Sequence, residues 1–422
     1  MNKKICKELI SIAFPAMGEN LLQMLMGMVD SYLVASLGIV ALSGVSIANN
    51  LLAVYQAVFI ALAAAVSSQL AHVVGKEKGM QITAIVTDSV KLTVYVGVFL
   101  GILAVILGPT LLTSLGAERE VAQLGGLYLI LVGGSILLLG LMTCLGGILR
   151  TLGQPRYPMY ISLFSNLLNA VFSAIAVFVL HTGVAGVAFG TILSRIIGCG
   201  LLWSRLSISI KPSAWSVDKE LVRLALPAIG ERLMMRAGDV VIVGMITGLG
   251  TAVVAGNAIG ETITQFNYMP TLGISVATLI MTAKSRQDSL AVQRIYRIGL
   301  GLSLIFMFVI GGTSYFAGPL LISLFTMDVQ VAQASQTVLL YSVLGVPFTA
   351  ATLVFTGLWQ GMGNARLPFY ATGIGMWVVR IGLAYFLINN FQLGLPSIWL
   401  ATIVDNAFRA SLLYVRYRYS TG

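Results

Sequence analysis

Residues 94–107, VYVGVFLGILAVIL, run without a charge and without the polar–apolar alternation of a half-buried strand. A segment of this kind is stable in lipid only as a helix, because lipid offers no partners for exposed backbone groups. About 20 mainly apolar residues cross a bilayer. Twelve stretches of at least that length follow one another, at 9–35, 41–74, 87–109, 120–148, 158–181, 184–206, 220–247, 252–281, 293–316, 330–358, 367–389 and 393–416. A spanning β-barrel would instead show alternating segments of about ten residues. Only 9% of the residues are charged, against about 25% in soluble domains. The fold expected is all-α and membrane-embedded, with twelve spans.

Lys3, Lys4 and Lys7 precede the first apolar run as in a secretory signal. That run continues past Pro15 to Ala35 with no small-residue cleavage site at the usual distance, so it is read as an uncleaved first span. Cys6, Cys144 and Cys199 are scattered, and neither His72 nor His181 belongs to a metal-binding or catalytic motif. No cofactor and no enzymatic activity are expected. The net charge of +10 does not point to nucleic acid once its placement is followed. With the N-terminus inside, all but four of the 25 basic residues fall in cytoplasmic loops or at cytoplasmic helix ends, among them Lys76, Lys78, Arg150, Arg195, Lys211 and Arg418. Arg119 falls outside, and Arg232, Arg236 and Arg380 fall within spans. This is the positive-inside pattern. It places both termini in the cytoplasm and the chain in the inner membrane.

The sequence is a duplication. ELISIAFPAMGENL from Glu8 returns as ELVRLALPAIGERL from Glu220, and the correspondence continues through Leu37-Gly38 and Leu249-Gly250. Gly108-Pro109 returns as Gly318-Pro319, and Gly153, Arg156, Pro158 and Tyr160 return as Gly363, Arg366, Pro368 and Tyr370. Six spans per half is an even number, so both halves enter the membrane in the same orientation, a parallel repeat. The expected division is an N-terminal lobe at 1–205, a basic cytoplasmic linker at 206–219 and a C-terminal lobe at 220–422. Two lobes around a central cavity suit a secondary transporter working by alternating access.

A charge at mid-membrane costs about 2.5–3.5 kcal/mol on insertion scales, so those that remain point to function. Asp30 in the first span has no basic residue at i±3 or i±4 on its own helix. A carboxyl group in such a setting can exchange a proton. Glu19 shares its face, about 16 Å away along the axis, and repeats as Glu231. The seventh span also holds Arg232, Arg236 and Asp239, and Arg236 can neutralise Asp239 at i+3. Glu261 has no basic neighbour in sequence. Asp405 and Arg409 form an i, i+4 pair, and Arg380 must find an acid on another helix, with Glu231 and Asp405 as candidates. Asn166, Asn169 and Ser173 form one polar face of the fifth span, either a site or interhelical glue. Pro15 and Pro227 each bend the first span of a half, as a hinge or a fixed kink.

The duplicated opening FPAMGENLLQMLMGMVDSYLVASLG, with GILRTLGQPRYPMY, GLGTAVVAGNAIGETI, WVVRIGLAYFL and IWLATIVDNAFRASLLYVRYR, resembles the multidrug and toxic compound extrusion (MATE) family over essentially the whole chain. The resemblance implies two six-helix lobes forming a V, and export of cationic or amphipathic compounds in exchange for protons or sodium. One branch carries the coupling ion on an aspartate fifteen residues after a proline of the first helix, the spacing of Pro15 and Asp30. The same branch has Asn-x2-Asn-x3-Asp in the fifth helix. Asn166 and Asn169 match it, and Ser173 replaces the final Asp. Other members use a glutamate in the seventh helix, where Met235 stands here between Glu231 and Asp239.

The coupling site is therefore expected at Asp30, Asn166, Asn169 and Ser173, with Glu231, Asp239, Glu261, Arg380 and Asp405 in a C-lobe cavity. The partners expected are small cationic or amphipathic substrates and the bilayer, the coupling ion a proton in preference to sodium, and the state a monomer. A flippase for a lipid-linked saccharide is the alternative, although only Arg232, Arg236 and Arg380 would line a cationic cavity for one. A membrane-embedded enzyme lacks any motif to support it.

Overall fold

A computed structural model describes residues 2–76, 79–114, 118–206 and 217–421. Most of the expected linker, with Lys211 in it, lies outside the described residues, as does Lys78. The described residues are helical almost throughout and contain no strand. In chain order the helices are α1 (Asn2–Ala35), α2 (Ile39–Val74), α3 (Gly79–Ser114), α4 (Arg119–Tyr128), α5 (Ile136–Thr151), α6 (Arg156–Ala174), α7 (Gly183–Ser204) and α8 (Lys219–Thr247). There follow α9 (Thr251–Lys284), α10 (Ser289–Phe316), α11 (Gly318–Ser323), α12 (Val329–Leu344), α13 (Val346–Gly361), α14 (Arg366–Gly373), α15 (Ile381–Phe391) and α16 (Leu395–Thr421). Wider π-helical turns at Leu129–Gly133, Ile175–Val179 and Ile374–Arg380 extend α4, extend α6 and join α14 to α15.

Each of the twelve expected stretches is one helix or a set of helical pieces in series. Among the described residues, eight helices are long and apolar enough to cross a membrane, and ten if α4–α5 and α12–α13, bent by 45° and 58°, each count as one span. The two bent pairs hold equivalent places in the duplicated halves. The remaining long helices, α8 and α9, are too polar for that test. The centre of α8 holds Glu231, Arg232, Arg236 and Asp239, and α9 carries Asn257, Glu261, Gln265 and Asn267.

The duplication extends to backbone geometry. Gly38 turns the chain from α1 into α2 with φ 112°, and Gly250 turns it from α8 into α9 with φ 110°. A side chain at either position would be strained, which accounts for glycine in both copies.

The packing falls into two units, Gly18–Ala225 and a second made of Met1–Met17 with Leu226–Gly422. The boundaries lie beside Pro15 and Pro227, in helices that continue unbroken through both prolines. In the second unit Gly273 of α9 meets Met17 and the Ala13 carbonyl so closely that a Cβ would have no room. In the first, Asp218 ahead of α8 accepts from Gln69 and donates its backbone N–H to Asp88 at 3.1 Å. A core cluster of the second unit packs Ile242 and Ile246 of α8 against Val338, Ala384, Ile398 and Trp399.

Candidate functional site

In the unit Gly18–Ala225, α1 and α6 meet at Asp30. The Asn169 amide donates to both carboxylate oxygens, at 3.0 and 3.1 Å. One turn along α6 the Ser173 hydroxyl donates to Asn169 Oδ1 at 3.4 Å. Asn169 and Ser173 are buried at 5% and 0% exposure, behind an Asp30 that is half-buried. Asn166 does not join it, and its buried amide nitrogen has no hydrogen-bond partner. The expected three-residue polar face thus puts one member, Asn169, on Asp30 and a second, Ser173, behind it.

No cation stands within 4.0 Å of Asp30 among the described residues, but one lies within electrostatic reach. Arg195 acts on both Asp30 and the buried Tyr128. Counted above among the cytoplasmic helix ends, Arg195 in fact sits near the middle of the 22-residue α7. The positive-inside tally assigned it to the nearest loop, whereas its true depth could have been read from the apolar residues on either side of it in GTILSRIIGCGLLW. Its Nη1 is buried without a hydrogen-bond partner. Glu19 pairs directly with the guanidinium of Arg150, so that acid has a structural partner within its own unit.

The other unit holds a larger charge network. Asp405, fully buried, lies between Arg380 Nε at 3.0 Å and Arg409 Nε at 2.9 Å. Those two atoms are out of line for hydrogen bonds, and it is Arg409 that donates one to Asp405 Oδ2, from a terminal nitrogen at 2.9 Å, with a second to Asn406 Oδ1 at 2.9 Å. Arg380 ends the π-helical turn after α14 and reaches on toward Asp239 at 3.9 Å. Arg236 approaches the same carboxylate at 3.9 Å. Arg380 therefore finds Asp405 and Asp239 rather than Glu231.

Glu231 is 4% exposed and accepts from Gln360 and Thr372, each at 3.3 Å. It has no ion-pair partner within 4.0 Å among the described residues. Glu261 stays exposed on α9, in the field of Asp239 and Arg380. Sequence reasoning missed a second polar cluster here. Asn267 donates to Ser342 at 3.4 Å and accepts from Ser314 at 3.1 Å, and Tyr268 meets Ser342 at 3.4 Å. These are common polar residues on three separate helices, with no local pattern to join them. Among the described residues no group of three or more His, Cys, Asp or Glu could hold a metal ion.

Residues 15–175 and 227–386 each match the MatE family, one copy per half, beginning at Pro15 and Pro227. The chain belongs to the MATE family. MATE proteins are membrane transporters, and the two-lobed all-α fold fits that membership. A probable multidrug resistance protein NorM from Thermotoga maritima is 30% identical over 97% of this chain and 91% of its own length. An uncharacterized transporter, YisQ of Bacillus subtilis, is 22% identical over 97% of this chain and 93% of its own. Among solved structures, an outward-facing multidrug resistance MATE family transporter of the MOP superfamily superposes with a TM-score of 0.91, at 21% identity over 99% of this chain and 96% of that one. A MOP superfamily transporter from Pyrococcus furiosus, described as having a binding pocket of reversed polarity, gives 0.90 at 20% identity over 99% and 96%.

Proposed function

We propose that this MATE transporter exports small cationic or amphipathic compounds across the inner membrane by alternating access, in exchange for protons carried by Asp30. The observation that carries the reading is the Asp30 carboxylate, held by the neutral amide of Asn169 with no ion pair within 4.0 Å among the described residues. A half-buried carboxyl group held by a neutral donor changes its charge with modest changes in surroundings. Ionised, it favours a cation nearby. Protonated, it releases that attraction. A ligand drives a conformational equilibrium only through different affinities for the two states, and the change of charge supplies the difference. Asp239 and Glu261, less shielded than Asp405, supply acidic groups for a cationic substrate in the other lobe, while Glu231 and the Asp405–Arg380–Arg409 network hold that lobe together.

The duplicated halves at 1–205 and 220–422 form the working lobes, with Pro15 and Pro227 as the bending points of α1 and α8. Both termini lie in the cytoplasm, and the monomer is the working unit. The test is efflux of a fluorescent cation from proteoliposomes at fixed membrane potential, with a pH gradient or a sodium gradient imposed alone. Export under the pH gradient supports the reading. Export under sodium alone overturns proton coupling.

A further inference from the structure

We propose that Arg195 makes the Asp30 site select protons over alkali-metal cations, because its fixed guanidinium charge already serves as the cation beside the carboxylate. The proposal rests on the reading above, that Asp30 carries the exchanged ion.

The placement of Arg195 follows from the register of α6 against α7. Gly190 of α7 packs on Ser173 of α6, with ideal Cβ contacts of 3.1 Å to its backbone nitrogen and its hydroxyl. The Ser165 hydroxyl donates to the Ser194 carbonyl at 2.9 Å, and Gly198 packs on the same hydroxyl. Asn169 lies one turn from Ser165 and one turn from Ser173 on a single helix face. The segment of α7 opposite Asn169, and so at the level of Asp30, runs from Thr191 to Arg195. The charged and titratable groups close enough to act on the Arg195 guanidinium are Asp30, Tyr128 and Cys199, and its buried Nη1 has no hydrogen-bond partner. Asn169, not Arg195, holds the carboxylate. The guanidinium thus lends its charge to Asp30 without occupying the carboxylate oxygens.

Two ions then meet different sites. A proton adds to Asp30, neutralises it and needs neither space nor further ligands. Sodium must shed water and sit on a carboxylate that faces the NH2 of Asn169 and lies in the field of a permanent cation. Repulsion between unit charges is strong where water is excluded. Ser173 of α6, a neutral hydroxyl bonded to Asn169, brings no negative charge to offset the guanidinium.

The experiment uses the full-length protein in two assays. Sodium binding is read from thermal unfolding in sodium chloride against N-methylglucamine chloride. Coupling is read from proteoliposome efflux under a pH gradient alone and under a sodium gradient alone. The wild type and Arg195→Lys, which keeps the charge, are expected to ignore sodium in both. Arg195→Gln is expected to bind sodium at least about tenfold more tightly and to gain sodium-driven efflux. A sodium response in the wild type or in Arg195→Lys overturns the proposal even where Arg195→Gln fails to fold. So does a folded Arg195→Gln protein that remains indifferent to sodium. Undiminished pH-driven efflux in Asp30→Asn would instead remove the underlying reading of Asp30, whatever Arg195 does.

Discussion

Glu19 and Glu231 hold matching places in the two repeats, and their partners Arg150 and Gln360 match as well, yet one acid meets a guanidinium and the other a neutral amide. The duplication has preserved the contact and discarded the charge. Removing the carboxylate should therefore cost differently in the two halves. Glu19→Gln strands Arg150 without its countercharge and should cost about 3 kcal/mol, whereas Glu231→Gln keeps the shape, still accepts from Gln360, and needs only a turn of the Thr372 hydroxyl from donor to acceptor, so it should cost under about 1 kcal/mol. Unfolding of the two variants in detergent measures the difference, and equal losses would contradict the assignment.

Asp405 pairs with two guanidiniums at once. Asp405→Asn should destabilise the protein by roughly 3–5 kcal/mol, since both arginines stay buried. Arg380→Gln should cost less, because Arg409 still balances the carboxylate. A reversal of that order in thermal unfolding would show that the Arg380 contact dominates.

Gly375 lies in the π-helical turn, pressed against Asp405 and Arg409 with no room for a Cβ. Gly375→Ala is expected to cost about 1–3 kcal/mol by forcing the ion pair apart. Gly382, one helical segment later, has open space around its Cβ position, and Gly382→Ala should be neutral or gain up to about 1 kcal/mol of helix propensity.

For transport, Asp30→Asn should lower pH-driven efflux by more than about tenfold while leaving the unfolding temperature nearly unchanged, since the variant keeps its shape and can still pair with Asn169. A large fall in both would indicate a structural role for the carboxylate.

Orientation can be checked separately. Reporter fusions at Ser213 and at the C-terminus should read cytoplasmic, and a fusion near Glu118 should read external. An external reading at Ser213 would break the assignment of six spans to the first half.

Much of this was legible in the sequence. The apolar runs placed the long helices, eight to ten of which are apolar enough to span a membrane, and the repeat was visible down to the turn glycines Gly38 and Gly250. The Asp405–Arg409 pair followed from i, i+4 spacing, because both residues share a helix. What the sequence concealed lies between helices. Arg195 looked like part of a helix end in a charge count, and only the packing of Gly190 and Gly198 on α6 brings it to the level of Asp30. The Asn267–Ser314–Ser342 cluster joins helices far apart in the chain. The exchange of α1 and α8 ends between packing units leaves no trace in the sequence, since each helix runs unbroken through its boundary.

That exchange governs how the protein is made. The first 17 residues belong with a unit that resumes only at Leu226. At about 5–20 residues per second, the roughly 210 intervening residues take about 10–40 s to synthesise. Throughout that time the amino-terminal half of α1 has entered the membrane before Gly273 and its neighbours on α9 exist. The nascent chain must therefore carry an unpartnered half-helix through assembly of the whole first unit, so correct packing is completed late, and a ribosome that stalls before α9 leaves that half-helix without the surface it was built to meet.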